Sequence, residues 1–176
     1  AKKVVVLVGE LVERYHLQAL VQKFLQNSGV AYVVSWGAKG VVDESHPQFA
    51  GMYAGCFSAQ EVQDYVENAD CVLALGWLYC EINSGTFSTK LEPDKLISLN
   101  LDSGAINGKD YAEIPFAALV GSLCQSSIEI APYPRSFAAN YVVKPEQLSP
   151  QIEHDNLIYH LSQFLQSDDT LILETG

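Results

Sequence analysis

The chain has 176 residues, 48% of them hydrophobic, enough to bury one good core with a small appendage. Its 10 Lys and Arg against 21 Asp and Glu give a formal charge of −11, which argues against nucleic acid and anionic membranes, since both recruit clustered basic residues. Cys56, Cys71, Cys80 and Cys124 follow no CxxC or Cys/His ligand spacing, so they read as reduced thiols; with no signal peptide and no apolar run of membrane-spanning length, a cytoplasmic protein is expected.

The elements alternate along the chain. Val4–Val8 is a continuous β-branched run closed by Gly9, as in a strand buried on both faces of a parallel sheet. Leu17, Leu20, Val21, Phe24 and Leu25 recur at helical spacing, and Asn27, Ser28 and Gly29 supply the stop. Residues 31–35 form the second strand. After a glycine-rich loop and an extended piece over 51–55, Ser58 and Glu61 predict a capping box opening a helix that turns Val62, Tyr65 and Val66 inward. Cys71–Leu75, then 96–101, then 111–114 are further strands, and Pro115 suits the first turn of a helix with Phe116, Leu119, Val120 and Leu123 on its inner face.

This alternation predicts an α/β fold, a doubly wound, Rossmann-like parallel sheet of about six strands with helices on both faces, occupying residues 1–124. Residues 125–150 hold Pro132, Pro134, Pro145 and Pro150 without a sustained period and read as an interdomain linker. Ser149 and Pro150 then open a helix with Leu157, Ile158, Leu161, Phe164 and Leu165 on one face, and Leu171, Ile172 and Leu173 read as a strand. Residues 151–176 are too few for a core and look like the first elements of a further domain.

Candidate chemistry is sparse. A dinucleotide fingerprint needs three glycines after the first strand, whereas this turn has Gly9 followed by Glu10 and Glu13, whose carboxylates suit a helix dipole and repel a diphosphate. Asp43, Glu44 and His46 raise the question of a metal or an acid/base pair, but no second cluster supplies ligands and they read as a solvated turn. His16, His154 and His160 lie in or beside helices as surface or packing residues. No GxSxG, GxxxxGK[ST] or HExxH motif occurs, so no catalytic residue and no metal ligand is assigned.

Two stretches carry a resemblance. The segments 37-GAKGVVDESHPQFAGMYAG-55 and 69-ADCVLALGWLYCEINSGTFSTKL-91 resemble the central domain of thiamine-diphosphate-dependent 2-keto acid decarboxylases, the pyruvate and indolepyruvate decarboxylase family. The pattern is a glycine–lysine–glycine turn, an acidic pair followed by His-Pro, a GxYxG, a capped helix, a buried strand ending in Gly and an N[TS]GxF segment. The resemblance implies a central, structural part of an enzyme that converts a 2-keto acid to an aldehyde and CO2 using thiamine diphosphate and Mg2+. In that family the activating glutamate and the diphosphate motif lie in other domains, so this chain alone is expected to be inactive and to hold no cofactor. Glu174, Thr175 and Gly176 match a loop in the cofactor's neighbourhood, and the expected partners are flanking N- and C-terminal domains and further copies of the enzyme. Some relatives carry a regulatory cysteine where this chain has Leu11 and Val12. Others hold FAD or ADP in this domain, which leaves a nucleotide-binding module as the alternative.

Overall fold

The computed structural model describes residues 1–126, 128, 130–139 and 151–172. They fall into two compact units, Ala1–Asn140 and Tyr141–Gly176. The first is built on a seven-stranded sheet of order β3-β2-β1-β4-β5-β6-β7: β1 Val4–Val8, β2 Ala31–Val34, β3 Phe49–Met52, β4 Cys71–Leu75, β5 Leu96–Leu99, β6 Ser103–Ile106 and β7 Lys109–Ala112. The first five run parallel, in the order of a doubly wound sheet whose chain direction switches between β1 and β4.

Period-two alternation along β1 explains why helices cover both faces. Val6 and Val8 join one core with Val12 from α1 (Leu11–Arg14), Phe24 and Leu25 from α2 (Gln18–Ser28), and Phe116 and Val120 from α4 (Phe116–Gln125). Val5 and Leu7 face the other core, where Val62, Tyr65 and Val66 of α3 (Gln60–Glu67) close the layer. All four β1 residues from Val5 to Val8 are fully buried, which is why that strand carries no polar side chain.

Four expectations need correction. The sheet has seven strands rather than about six, because the 51–55 segment begins as the edge strand β3 and because the chain after β5 folds back as an antiparallel hairpin, β6 with β7. The hairpin turns at Asn107 and Gly108, both with positive φ (52° and 73°), the pair that a two-residue turn of matching twist demands. That signal was in the sequence and marks β7 as Lys109–Ala112 instead of 111–114. The capping box is absent: α3 has Ala59 as its N-cap with no side-chain cap bond, since the Ser58 hydroxyl instead accepts from the Ala54 N–H at 2.8 Å. The strand expected over 96–101 ends at Leu99 as β5, while the expected helix after β1 is α2, preceded by the short α1 and set off from it at His16, which takes a left-handed φ of 56°.

In the second unit α5 spans His154–Phe164, with Glu153 as N-cap; Ser149 and Pro150 lie outside the described residues. Leu171 and Ile172 are not in a strand, since an isolated extended segment has no ladder partner; Leu173 lies outside the described residues.

Candidate functional site at the strand ends

In open α/β sheets ligands enter the crevice beyond the carboxyl ends of the strands, where the topology switches. Here that point lies between β1 and β4, and it is packed with the chain's own atoms. Gly9 N–H donates to the Leu75 carbonyl at 2.9 Å, and Leu11 N–H donates to the Gly76 carbonyl at 3.1 Å. A Cβ placed on Gly9 would stand 2.2 Å from Gly76 O and 2.3 Å from Trp77 Cα. The single glycine of this turn therefore allows two backbones to touch, leaving no space there for a diphosphate.

Glu10, the N-cap of the four-residue α1, occupies the position at which a nucleotide-binding fold would present bare N–H groups. Its carboxylate accepts from Asn83 Nδ2 at 2.6 Å and from Ser35 Oγ at 3.2 Å. Asn83 also donates to Leu78 O at 3.0 Å, and its Oδ1 accepts from the Gly37 N–H at 3.2 Å. Ser35 is fully buried and Asn83 is 3% exposed. One carboxylate and one amide thus tie together the loops that follow β1, β2 and β4, with each polar atom paired as burial requires.

The remainder of the NSGTF segment locks the neighbouring loop. Ser84 Oγ donates to Cys80 O at 2.6 Å and accepts from the Phe87 N–H at 2.9 Å. Gly85, at φ 57°, brings its backbone against residues 54–56, so that a Cβ there would lie 2.3 Å from Ala54 O. Gly55 meets Ser84 O with the same closeness, 2.2 Å from an added Cβ. Cys56 N–H donates to Ser88 Oγ at 2.8 Å. Gly55 of GxYxG and Gly85 of NSGTF are therefore two halves of one contact, while Tyr53 between Gly51 and Gly55 is buried with its hydroxyl donating to Glu67 Oε1 at 3.0 Å. Burial and the Glu67 carboxylate push that phenol well above its usual range.

The acidic pair with His-Pro forms a turn. Asp43 accepts from Ser45 N–H at 2.8 Å and from its hydroxyl at 2.6 Å, bonds that hold its carboxyl below the usual carboxylate range. Glu44 pairs with Lys39 and accepts from the Gly40 N–H at 2.6 Å. His46 Nδ1 accepts from the Gln48 N–H at 3.3 Å. The Tyr32 hydroxyl donates to the Asp43 carbonyl, and burial pushes that phenol up to about 12. Among the described residues no group of three or more His, Cys, Asp and Glu side chains is placed to hold a metal.

Cys71 and Cys124 are half-buried, and desolvation raises both thiols, that of Cys124 to about 11, which leaves them poor nucleophiles. A cavity of about 250 Å3 beyond β4 and β5, bounded by Trp77, Tyr79, Leu96, Ser98 and Asn100 among others, has no basic residue in its lining. Glu174, Thr175 and Gly176 lie outside the described residues. No helix among the described residues is long and apolar enough to cross a membrane. What the sequence reading missed is Glu10 as the hub of this site. Its only sequence signal was a carboxylate directly after the turn's single glycine, where it would repel a diphosphate.

Comparison with known proteins agrees with this geometry. The thiamine pyrophosphate enzyme central-domain family matches residues 1–126. The chain is 27% identical to pyruvate decarboxylase isozyme 3 of Saccharomyces cerevisiae and to pyruvate decarboxylase of Kluyveromyces marxianus, and 28% identical to that of Hanseniaspora uvarum. Each alignment covers all of this chain and 32% of the relative, so the chain spans about a third of the length of the curated relatives it matches. With an open sheet of this order and a family match over residues 1–126, the chain belongs to the thiamine pyrophosphate enzyme central-domain family.

Proposed function

We infer that this chain serves as the central structural domain of a thiamine-diphosphate- and Mg2+-dependent 2-keto acid decarboxylase, an enzyme that releases CO2 and an aldehyde. The observation that carries this reading is the bridge of Glu10 to Ser35 and Asn83. It fills the switch point from within, as suits a domain that holds others in place rather than one that binds a nucleotide. The relatives' names support the decarboxylase branch.

The family implies thiamine diphosphate and Mg2+ in its enzymes, and the described residues do not fit either one. The carboxylate at the strand ends is already bonded on both oxygens, the Gly9 turn is filled by backbone, and in the acidic turn Asp43 Oδ1 is taken by Ser45 and both Glu44 oxygens by Lys39 and Gly40, with no group of three or more potential ligands among the described residues. In this reading the cofactor is held by flanking domains, and the chain's contribution is a rigid platform for them and for oligomer contacts.

The test is an assay of the purified chain with thiamine diphosphate, Mg2+ and either pyruvate or indolepyruvate. No decarboxylation is expected, and measurable turnover would overturn the division of roles. In the longer enzyme, Asn83→Ala is expected to lower thermal stability and leave the KM for the keto acid unchanged; a raised KM with unaltered stability would place Asn83 at the substrate instead.

A further inference from the structure

Residues 130–139, IAPYPRSFAA, form neither helix nor strand and yet pack on both cores. Among the described residues no backbone–backbone hydrogen bond ties this strap to the sheet; side chains hold it. Tyr133 stacks on Tyr65 of α3 with ring centres 4.1 Å apart and 11° between planes, and Phe137 meets the same ring edge-on at 5.5 Å. The Tyr65 hydroxyl donates to the Tyr133 carbonyl, and the Tyr133 hydroxyl donates back to the Tyr65 carbonyl at 3.4 Å. The Arg135 guanidinium lies over the Phe137 ring, 5.8 Å from its centre, and donates to the Phe137 carbonyl.

The seat beneath is loosely filled. A cavity of about 410 Å3 is lined by Gly29, Ala31, Pro47 and Gln48 together with Tyr65 and the Pro132-to-Arg135 stretch. Gln48 Oε1 and Arg135 Nε are buried there without a protein partner, a cost to the seated state. Docking of an extended proline-containing segment on an aromatic surface, through side chains rather than a ladder, is the physics of proline-rich peptide recognition.

We propose that residues 132–137 are an intramolecular ligand in a peptide groove formed by Pro47, Gln48 and Tyr65, a latch that releases as a unit while the sheet stays folded. Its low local stability follows from the unfilled seat and from the small number of contacts, concentrated on one ring, that close it. The occupant is the chain's own segment, already seated with Tyr133 and Phe137 against Tyr65. A peptide of the same chemistry competes for the groove when the latch is open.

Trypsin reads this directly, because the half-buried Arg135 side chain is held over Phe137 and must leave that seat to enter the protease, and cleavage of a transiently open state follows its population. In the full chain, cutting after Arg135 is expected to precede loss of the sheet. Tyr133→Ala is expected to speed it by about tenfold, the loss of one aromatic stack, with the unfolding midpoint of the sheet unchanged. Tyr65→Phe, which keeps the ring and removes only its hydroxyl, is expected to speed cleavage less. A labelled APYPRSFA peptide should bind the Tyr133→Ala chain more tightly than the parent chain. Cleavage only on global unfolding, or equal peptide binding by the two chains, would overturn the latch. Because Tyr133 and Tyr65 lie away from the Glu10 bridge, failure here leaves the proposed structural role standing.

Discussion

The two ends of the sheet are built on opposite terms. At the carboxyl ends of β1 and β4, glycine backbones touch, and Glu10, Ser35, Asn83 and Ser84 satisfy one another. At the amino ends of β2 and β3 a strap of prolines and aromatics covers a cavity of about 410 Å3 and leaves two polar atoms unpaired. The switch point between β1 and β4, where this sheet topology ordinarily opens to a ligand, is here filled by the chain's own backbone and side chains. Topology alone would have placed a ligand at a switch point that this chain fills itself.

Variants that break the tight end are expected to have the largest effects. Gly9→Ala forces a Cβ into the Gly76 carbonyl and Trp77 Cα, and a loss of about 3 kcal/mol or more is expected from urea unfolding. Asn83→Ala leaves the Glu10 carboxylate and the Gly37 N–H without their partner, an expected loss of about 2 kcal/mol in the same measurement. Tyr53→Phe removes one hydroxyl bond while Glu67 keeps its bonds from Gln63 and Lys90, and about 1 kcal/mol is expected. A loss from Gly9→Ala no larger than that from Tyr53→Phe would erase the contrast between the two ends.

The smallest effect concerns pH. Asp70 accepts the N–H groups of Lys2 and Lys3, both at 2.9 Å, and these bonds hold its carboxyl below the usual range. A depressed folded value means that its stabilisation is complete above the unfolded carboxyl pKa, roughly 3.9, and is lost as pH falls through the folded value. Asp70→Asn is therefore expected to flatten the acid limb of the thermal stability profile slightly and to leave the neutral region unchanged. Asp43, held low by Ser45, acts in the same direction.

Much of the first unit was legible because its elements are specified locally. The β-branched run of β1, the helical spacing that ends at Gly29 with φ 69°, and the inward face of α4 each follow from short-range pattern. The hairpin is announced only by Asn107 and Gly108, since β6 and β7 are mostly exposed and carry no apolar run. Ser58 matched a capping signature, but a tertiary need at Ala54 took its hydroxyl. The Glu10–Asn83 pair, 73 residues apart, has no local pattern at all. The motif resemblance pointed at Asn83 through NSGTF without saying what the asparagine does, and only the fold brings it to Glu10.

The central claim is that the switch point is closed by the chain's own side chains. It is tested most directly by calorimetric titration of the chain with ADP, FAD and NAD. The account predicts no saturable binding of any of the three, whereas micromolar binding of one of them, lost on substitution at Gly9 or Gly76, would contradict it.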